Sequence, residues 1–426
     1  MDGAKKAIVF AGGGSKGAYQ LGAWKALKEL GETFDIATGT SIGSINAAFY
    51  VQNDFLEAEK MWHEVTAGDI MANGINFDVS FDGIISQKDN LIPFLKNYLN
   101  TKRVDNTPFI NMIHRYFDTE KFFSSEINYA LMTVNYKGLG PSDLIPVTIK
   151  KADMEKDIDN AWKWIAASAS CYPVFPPFEI DGVQYIDGGF YDNIPISAAI
   201  QLGAEKIVAI DLNTENNHEG YLRHPDVTYI KPSKDLGNFL NFDRNVLERS
   251  IKLGYNDTMK VYGKYYGIKY TFLPDEKISS LLNAAADTFI SVLNIMEAEF
   301  DFSPFVRYQR VNKLIGCTAI LGEYCKKYRP TKTDLFISAF EMLLTALDYD
   351  DEKEYNMEEL LYHLKTEADR IYPLLEFDTE SAFQKVREFV KGVSKGKLLE
   401  FKKNDENRMM LIFTSLIRAL QRITIL

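Results

Sequence analysis

The sequence predicts an α/β fold with a mostly parallel, helix-covered sheet over residues 1–268, followed by an all-helical domain over residues 269–426. Three observations carry that expectation. Up to about Tyr266, short apolar runs alternate with stretches of helical spacing, the pattern of strands joined by crossover helices. After about Thr271 the strand-like runs stop while helical spacing continues. The 426 residues, 46% hydrophobic and 25% charged, have a globular composition but exceed what one ordinary core holds.

The first strand is the apolar run Ala7–Phe10. Leu21, Trp24, Leu27 and Leu30 then recur at helical spacing, so Gly12, Gly14 and Gly17 lie in a strand-to-helix turn. Asp35–Thr38 reads as the second strand and Ser44–Tyr50 as the helix after it. Further strands are expected at Tyr129–Asn135, Pro146–Ile149, Tyr185–Ile186, Lys206–Leu212 and Val227–Ile230. Between the early helices, Ala67–Ser86 carries scattered Gly and Phe and fits either a mobile lid or a packed surface loop. The helical domain is expected to use Lys277–Phe300, Thr333–Leu347, Met357–Tyr372 and Thr379–Val393.

With 48 Lys+Arg against 59 Asp+Glu, the net charge of −11 argues against a general attraction to nucleic acid or to anionic lipid. Any membrane contact must then be local and apolar. The opening MDGAKKAIVF leaves no room for a signal peptide's apolar region, and no uninterrupted apolar run approaches a bilayer span. Cys171, Cys317 and Cys325 match the spacing of neither a zinc site nor a disulfide scaffold, so a reduced, cytoplasmic chain is expected.

Gly12, Gly14 and Gly17 satisfy the GxGxxG spacing of a dinucleotide-binding turn. A turn of this kind aims backbone N–H groups at something negative, either a pyrophosphate or the oxyanion of an acyl-transfer intermediate. The acid that such a unit places at the far end of its second strand is misplaced here, because Asp35 opens that strand. At the far end stands Gly39-Thr40-Ser41-Ile42-Gly43, the GxSxG nucleophile elbow in its strand–turn–helix setting. The elbow lifts the Ser41 hydroxyl above the sheet edge and offers the Ile42 N–H as an oxyanion donor. A serine needs a base, yet His63, His114, His218, His224 and His363 all read as surface or structural residues. The alternative base is Asp187 of Tyr185-Ile186-Asp187-Gly188-Gly189, at a strand end before two glycines. A buried carboxylate whose pKa is raised by desolvation can take a serine proton directly.

In this order, GGGSKG, GTSIG and DGG resemble the patatin-like phospholipase family, as do Ala167–Pro177 before the acid's strand and Asp192-Asn193-Ile194-Pro195 after it. The resemblance covers about residues 5–265 and implies a patatin-like α/β sheet carrying a Ser–Asp dyad. It makes Ser41 the nucleophile, Asp187 the base, and Gly12, Gly13 and Gly14 with Ile42 the oxyanion hole. Gly39, Gly43, Gly188 and Gly189 shape the elbow and the acid loop, and the implied chemistry uses no metal and no cofactor. Lys16 stands where the family commonly has Arg, which keeps the charge and loses the planar fork. Ile42 and Ser44 are larger than the residues frequent there and are expected to narrow the site. Lys16, Tyr172 and Phe175 are candidate substrate contacts, with Val174 and Phe178 as further candidates for an acyl channel. The implied function is lipid acyl hydrolysis of the phospholipase A or lysophospholipase type. A regulated effector or scaffold with a ligand- or partner-controlled site is the alternative, and a dinucleotide-binding oxidoreductase a weaker one.

The resemblance does not extend to the helical region. Asp348–Lys353 with Glu359 imitates a calcium loop at its first, third and twelfth positions, but Lys353 stands where that loop needs glycine. A solvated acidic linker fits better. The apolar Met409–Leu426 suits either a membrane surface or packing against other helices, a partner chain or a second copy.

Overall fold

The structure, a computed structural model, describes residues 4–72, 105–138, 140–212, 221, 224–274, 278–299, 316–327, 329–371 and 403–422. The expected helix Thr379–Val393, residues 73–86 of the candidate lid, and His218 lie outside the described residues. The chain divides into two compact units, Met1–Val261 and Tyr262–Leu426. The second begins at Tyr262 because Tyr266, Tyr270 and Phe272 pack into its core.

The first unit is built on an eight-stranded sheet: β1 (Lys6–Phe10), β2 (Ile36–Thr40), β3 (Asn128–Tyr136), β4 (Leu144–Lys150), β5 (Phe178–Ile180), β6 (Val183–Asp187), β7 (Lys206–Ile210) and β8 (Val227–Ile230). Only β5 lacked a sequence signal, being three residues long with exposed Glu179 at its centre. The order is β5-β6-β3-β2-β1-β7-β8, with β4 beside β3. Strands β1, β2, β3, β7 and β8 are parallel. Of these, β1 and β7 read as near-continuous apolar runs because both of their faces are buried. From β1 the chain moves to β2 and β3 on one side and later to β7 and β8 on the other. The C-terminal end of β1 is therefore a switch point, where α/β sheets open a crevice.

One strand sets the register of the site. β4 pairs antiparallel with Ala130–Tyr136 of β3, so β2 and β6 must share the opposite edge. On that edge Met132 pairs with Thr40, and the next residue, Thr133, pairs with Asp187. The ends of β2 and β6 thus meet at neighbouring positions of β3, which brings Asp187 to the residue following Thr40.

The second unit has helices at Ile278–Glu299, Cys317–Cys325, Lys332–Ala346, Met357–Ile371 and Lys403–Arg422. It is not purely helical: Thr271–Leu273 and Glu354–Asn356 form a parallel two-stranded ladder, each strand too short to leave a period in the sequence. Ile278–Glu297 is long and apolar enough to cross a membrane by length and composition. Its residues Leu282, Ala285, Phe289, Leu293 and Met296 form one buried face, the pattern of an amphipathic core helix. Met409–Leu420 is buried in the same core, so of the two uses open to that stretch, packing against other helices describes it. In the acidic turn, Asp350 accepts the Glu352 N–H and faces Lys353 at 3.9 Å.

Candidate active site

Ser41 follows β2 directly and has φ 56° and ψ −128°, outside the conformations comfortable for a residue with a Cβ. Strain of this kind costs on the order of 1–3 kcal/mol and persists only where the surroundings enforce it. Here they do. A Cβ on Gly39 would sit 2.1 Å from the Gly43 carbonyl oxygen, and one on Gly43 would sit 2.2 Å from that of Phe10. Both elbow glycines are thus required by close backbone approach. The Ser41 N–H donates to Ser168 Oγ (3.0 Å), whose hydroxyl donates to the Met132 carbonyl (2.7 Å). The Ser41 carbonyl accepts from both the N–H (2.8 Å) and the hydroxyl (2.6 Å) of Ser44. Ser44 is fully buried and braces the elbow, rather than narrowing the site beside the nucleophile.

Asp187 has no solvent exposure. Its N–H donates to the Ser170 carbonyl (2.9 Å), and its Oδ1 accepts the Gly189 N–H (2.8 Å). Its Oδ2 is buried without a hydrogen-bond partner. Burial pushes its carboxyl up to about 7, while the neighbouring Ser41 hydroxyl and the Gly189 N–H pull the other way. The segment 168–170 therefore holds both residues by their backbones, Ser41 through Ser168 and Asp187 through Ser170. Gly188 packs where a Cβ would meet the Met132 carbonyl at 2.2 Å.

Across from Ser41 the glycine loop leaves β1. Asn193 clamps it at both ends of one residue: the Gly12 N–H donates to the Asn193 carbonyl and Asn193 Nδ2 donates to the Gly12 carbonyl, each at 3.0 Å. The Gly12 N–H is thereby committed, which corrects the expectation that it serves as an oxyanion donor. Gly12 instead admits Ser41, whose Cβ would lie 3.0 Å from a side chain there. The Ser15 N–H is also committed, to the Phe239 carbonyl (2.7 Å). Among the described residues, the N–H groups of Gly13, Gly14 and Ile42 make no hydrogen bond and are the donors left for a developing negative charge. Lys16 is buried in the turn Gly14–Gly17 and is not among the residues lining the cavity below.

A cavity with about 530 Å³ of empty space, its open mouth included, reaches Ser41. Besides Ser41 its wall is apolar, including Ile42, Trp62, Phe109, Met112, Phe175 and Phe239. Of the expected contacts Phe175 lines it, stacked on Phe109 with ring centroids 5.8 Å apart. Tyr172 does not: it packs with Val134, Ile186 and Phe190, its ring 5.1 Å from that of Tyr136. Val174 is buried away from the cavity and Phe178 sits in β5, its ring 6.4 Å from that of Trp162. Trp62 belongs to the amphipathic helix Phe55–Glu64 and satisfies its indole N–H on Asn46 Oδ1 (2.9 Å), leaving its ring free to face the cavity. Trp62, Phe109 and Met112 carry an ordinary helical apolar period and nothing that marks them as pocket residues. None of the four described histidines lines the cavity. His63 faces Glu248 at 3.3 Å, His114 stacks on Trp162, and Tyr349 lies 3.4 Å from His363.

Residues 8–200 match the family model described as patatin-like phospholipase. A 212-residue stretch is 26% identical to patatin-like phospholipase domain-containing protein 6 of Mus musculus, covering 49% of this chain and 14% of that protein. A 217-residue stretch is 27% identical to lysophospholipase nte1 of Aspergillus oryzae, covering 50% of this chain and 12% of that protein. The chain thus spans a small part of the curated relatives it matches. Among solved structures, VipD from Legionella pneumophila aligns with 99% of this chain and 92% of its own, at 14% identity and a TM-score of 0.40. The sheet-built first unit, through residues 8–200, belongs to the patatin-like phospholipase family.

Proposed function

We propose that this chain hydrolyses carboxylic esters of lipids, of the phospholipase A or lysophospholipase type, through a Ser41–Asp187 dyad and an acyl-enzyme. The observation that carries the reading is the buried, unpartnered Oδ2 of Asp187 beside a nucleophile-elbow serine. A carboxylate poised near pH 7 is a competent general base. Asp187 Oδ2 takes the Ser41 hydroxyl proton as Ser41 Oγ bonds to the ester carbonyl carbon. The N–H groups of Gly13, Gly14 and Ile42 receive the oxyanion. Collapse expels the alcohol, which leaves with the proton held by Asp187. Water then gives a proton to Asp187, attacks the acyl-enzyme, and returns Ser41 with release of the fatty acid. The apolar cavity supports an acyl chain as the buried part of the substrate.

The test is fatty-acid release from mixed phospholipid vesicles and from short-chain nitrophenyl esters by the full chain, Ser41→Ala and Asp187→Ala. Hydrolysis by the wild type that falls to background in both folded variants supports the dyad. Full activity in Ser41→Ala removes it.

A further inference from the structure

Part of the cavity wall comes from outside residues 8–200. The strap between β8 and the helix Arg244–Val261 contributes Phe239, Leu240 and Phe242. It is not loosely draped. The Asp235 side chain accepts the Gly237 N–H, that of Asn238 the Leu240 N–H, and that of Asn241 the Asp243 N–H, at 2.9, 2.9 and 3.0 Å. Three consecutive side-chain turns fix its course. It is also pinned to the glycine loop: Ser15 donates its N–H to the Phe239 carbonyl and its hydroxyl to the Asn238 carbonyl (3.1 Å). Gly14, at φ 56°, leaves its missing Cβ to the strap, since a Cβ there would lie 2.3 Å from the Phe239 oxygen. Phe239 is buried, whereas Leu240 and Phe242 are half-buried, as wall residues of an open cavity are.

We infer that the strap Gly237–Phe242 is the acyl-chain selector of this site, with Leu240 and Phe242 setting how long a chain is held and Ser15 fixing the strap against the glycine loop. This rests on the ester-hydrolase reading of the same site. The strap lies outside the residues matched by the family model, which end before β7.

Two readings on the full chain separate this inference from the reading on which it rests. The first is kcat/KM for 4-nitrophenyl butyrate and decanoate in the wild type, Leu240→Ala, Phe242→Ala, Phe242→Leu and Ser15→Ala. The decanoate-to-butyrate ratio falls about tenfold in Phe242→Ala and Leu240→Ala, less in Ser15→Ala, and recovers at least half of the loss in Phe242→Leu. An unchanged ratio, or an equal fall on both esters, overturns the selector. The second is calorimetric binding of decanoate to Ser41→Ala with and without Phe242→Ala, which needs no catalysis. Weakening of about tenfold supports the strap, and equal affinity overturns it whatever the hydrolysis data say about Ser41.

Discussion

Asp187 in the first unit and Glu341 in the second are both carboxylates with no solvent exposure, and they are treated in opposite ways. Glu341 is satisfied: its Oε1 accepts the Ile268 N–H (2.6 Å), and its Oε2 the Lys269 N–H (2.9 Å) and the Tyr324 hydroxyl (3.1 Å). Asp187 accepts one hydrogen bond at Oδ1 and none at Oδ2. A buried charge with its donors in place ties chain segments together. One left short of donors is a cost to the fold, and that cost is what the proposed role of Asp187 as a base accounts for.

Removing the proposed nucleophile breaks the comparison most severely: Ser41→Ala is expected to lower ester hydrolysis at least about a thousandfold. For Glu341→Ala the expected loss is stability, on the order of 3–5 kcal/mol, because two backbone donors and a phenol lose their buried partner. Thermal unfolding read on the second unit's helices checks this. Ser168→Ala leaves the Ser41 N–H buried and unpaired, a cost of about 1–3 kcal/mol. Where that cost falls on the elbow, kcat drops about tenfold to a hundredfold with KM little changed. At the small end, His63→Asn is expected to leave kcat/KM and its pH profile within about twofold, whereas a histidine base would show as a collapse of both.

The pH dependence sharpens the contrast further. Asp187 titrates near 7 in the folded chain against about 3.9 for an ordinary unfolded aspartate, so the folded state holds this proton more tightly. The stabilisation that follows is fully present below about pH 4 and is lost as pH rises through about 7. Three pKa units correspond to a loss on the order of 4 kcal/mol. In the proposed mechanism activity runs the other way, since only the deprotonated acid would take the serine proton: kcat/KM on a soluble ester should rise tenfold per pH unit below about 7 and level off above it. A midpoint near 4 excludes a desolvated base.

Much of this site is legible in the sequence because its parts are local. The elbow needs Gly39 and Gly43 at fixed offsets from Ser41, and the acid needs a strand end before glycines, so both leave short patterns. What escaped is what depends on distant chain. The wall of the cavity draws on residues 61–70, 109–112, 169–175 and 239–242, which only the folded sheet brings together. Cys171 and Phe175 face the cavity while Tyr172 between them packs on Tyr136, a choice made by tertiary contacts. The Gly12 N–H could not be known to be taken, since its acceptor, Asn193, lies far along the chain. The ladder of Thr271–Leu273 with Glu354–Asn356 likewise joins two triplets too short to be read separately.

The most direct test of the dyad is Asp187→Asn, measured for ester hydrolysis and for thermal stability at pH 8. The near-isosteric amide keeps an acceptor for the Gly189 N–H and removes the buried charge. Loss of hydrolysis by at least about a thousandfold, together with a melting temperature raised by a few degrees, is the predicted result. A variant that still hydrolyses esters, or that loses stability at pH 8 as Glu341→Ala does, contradicts it and returns Asp187 to the class of structural acids.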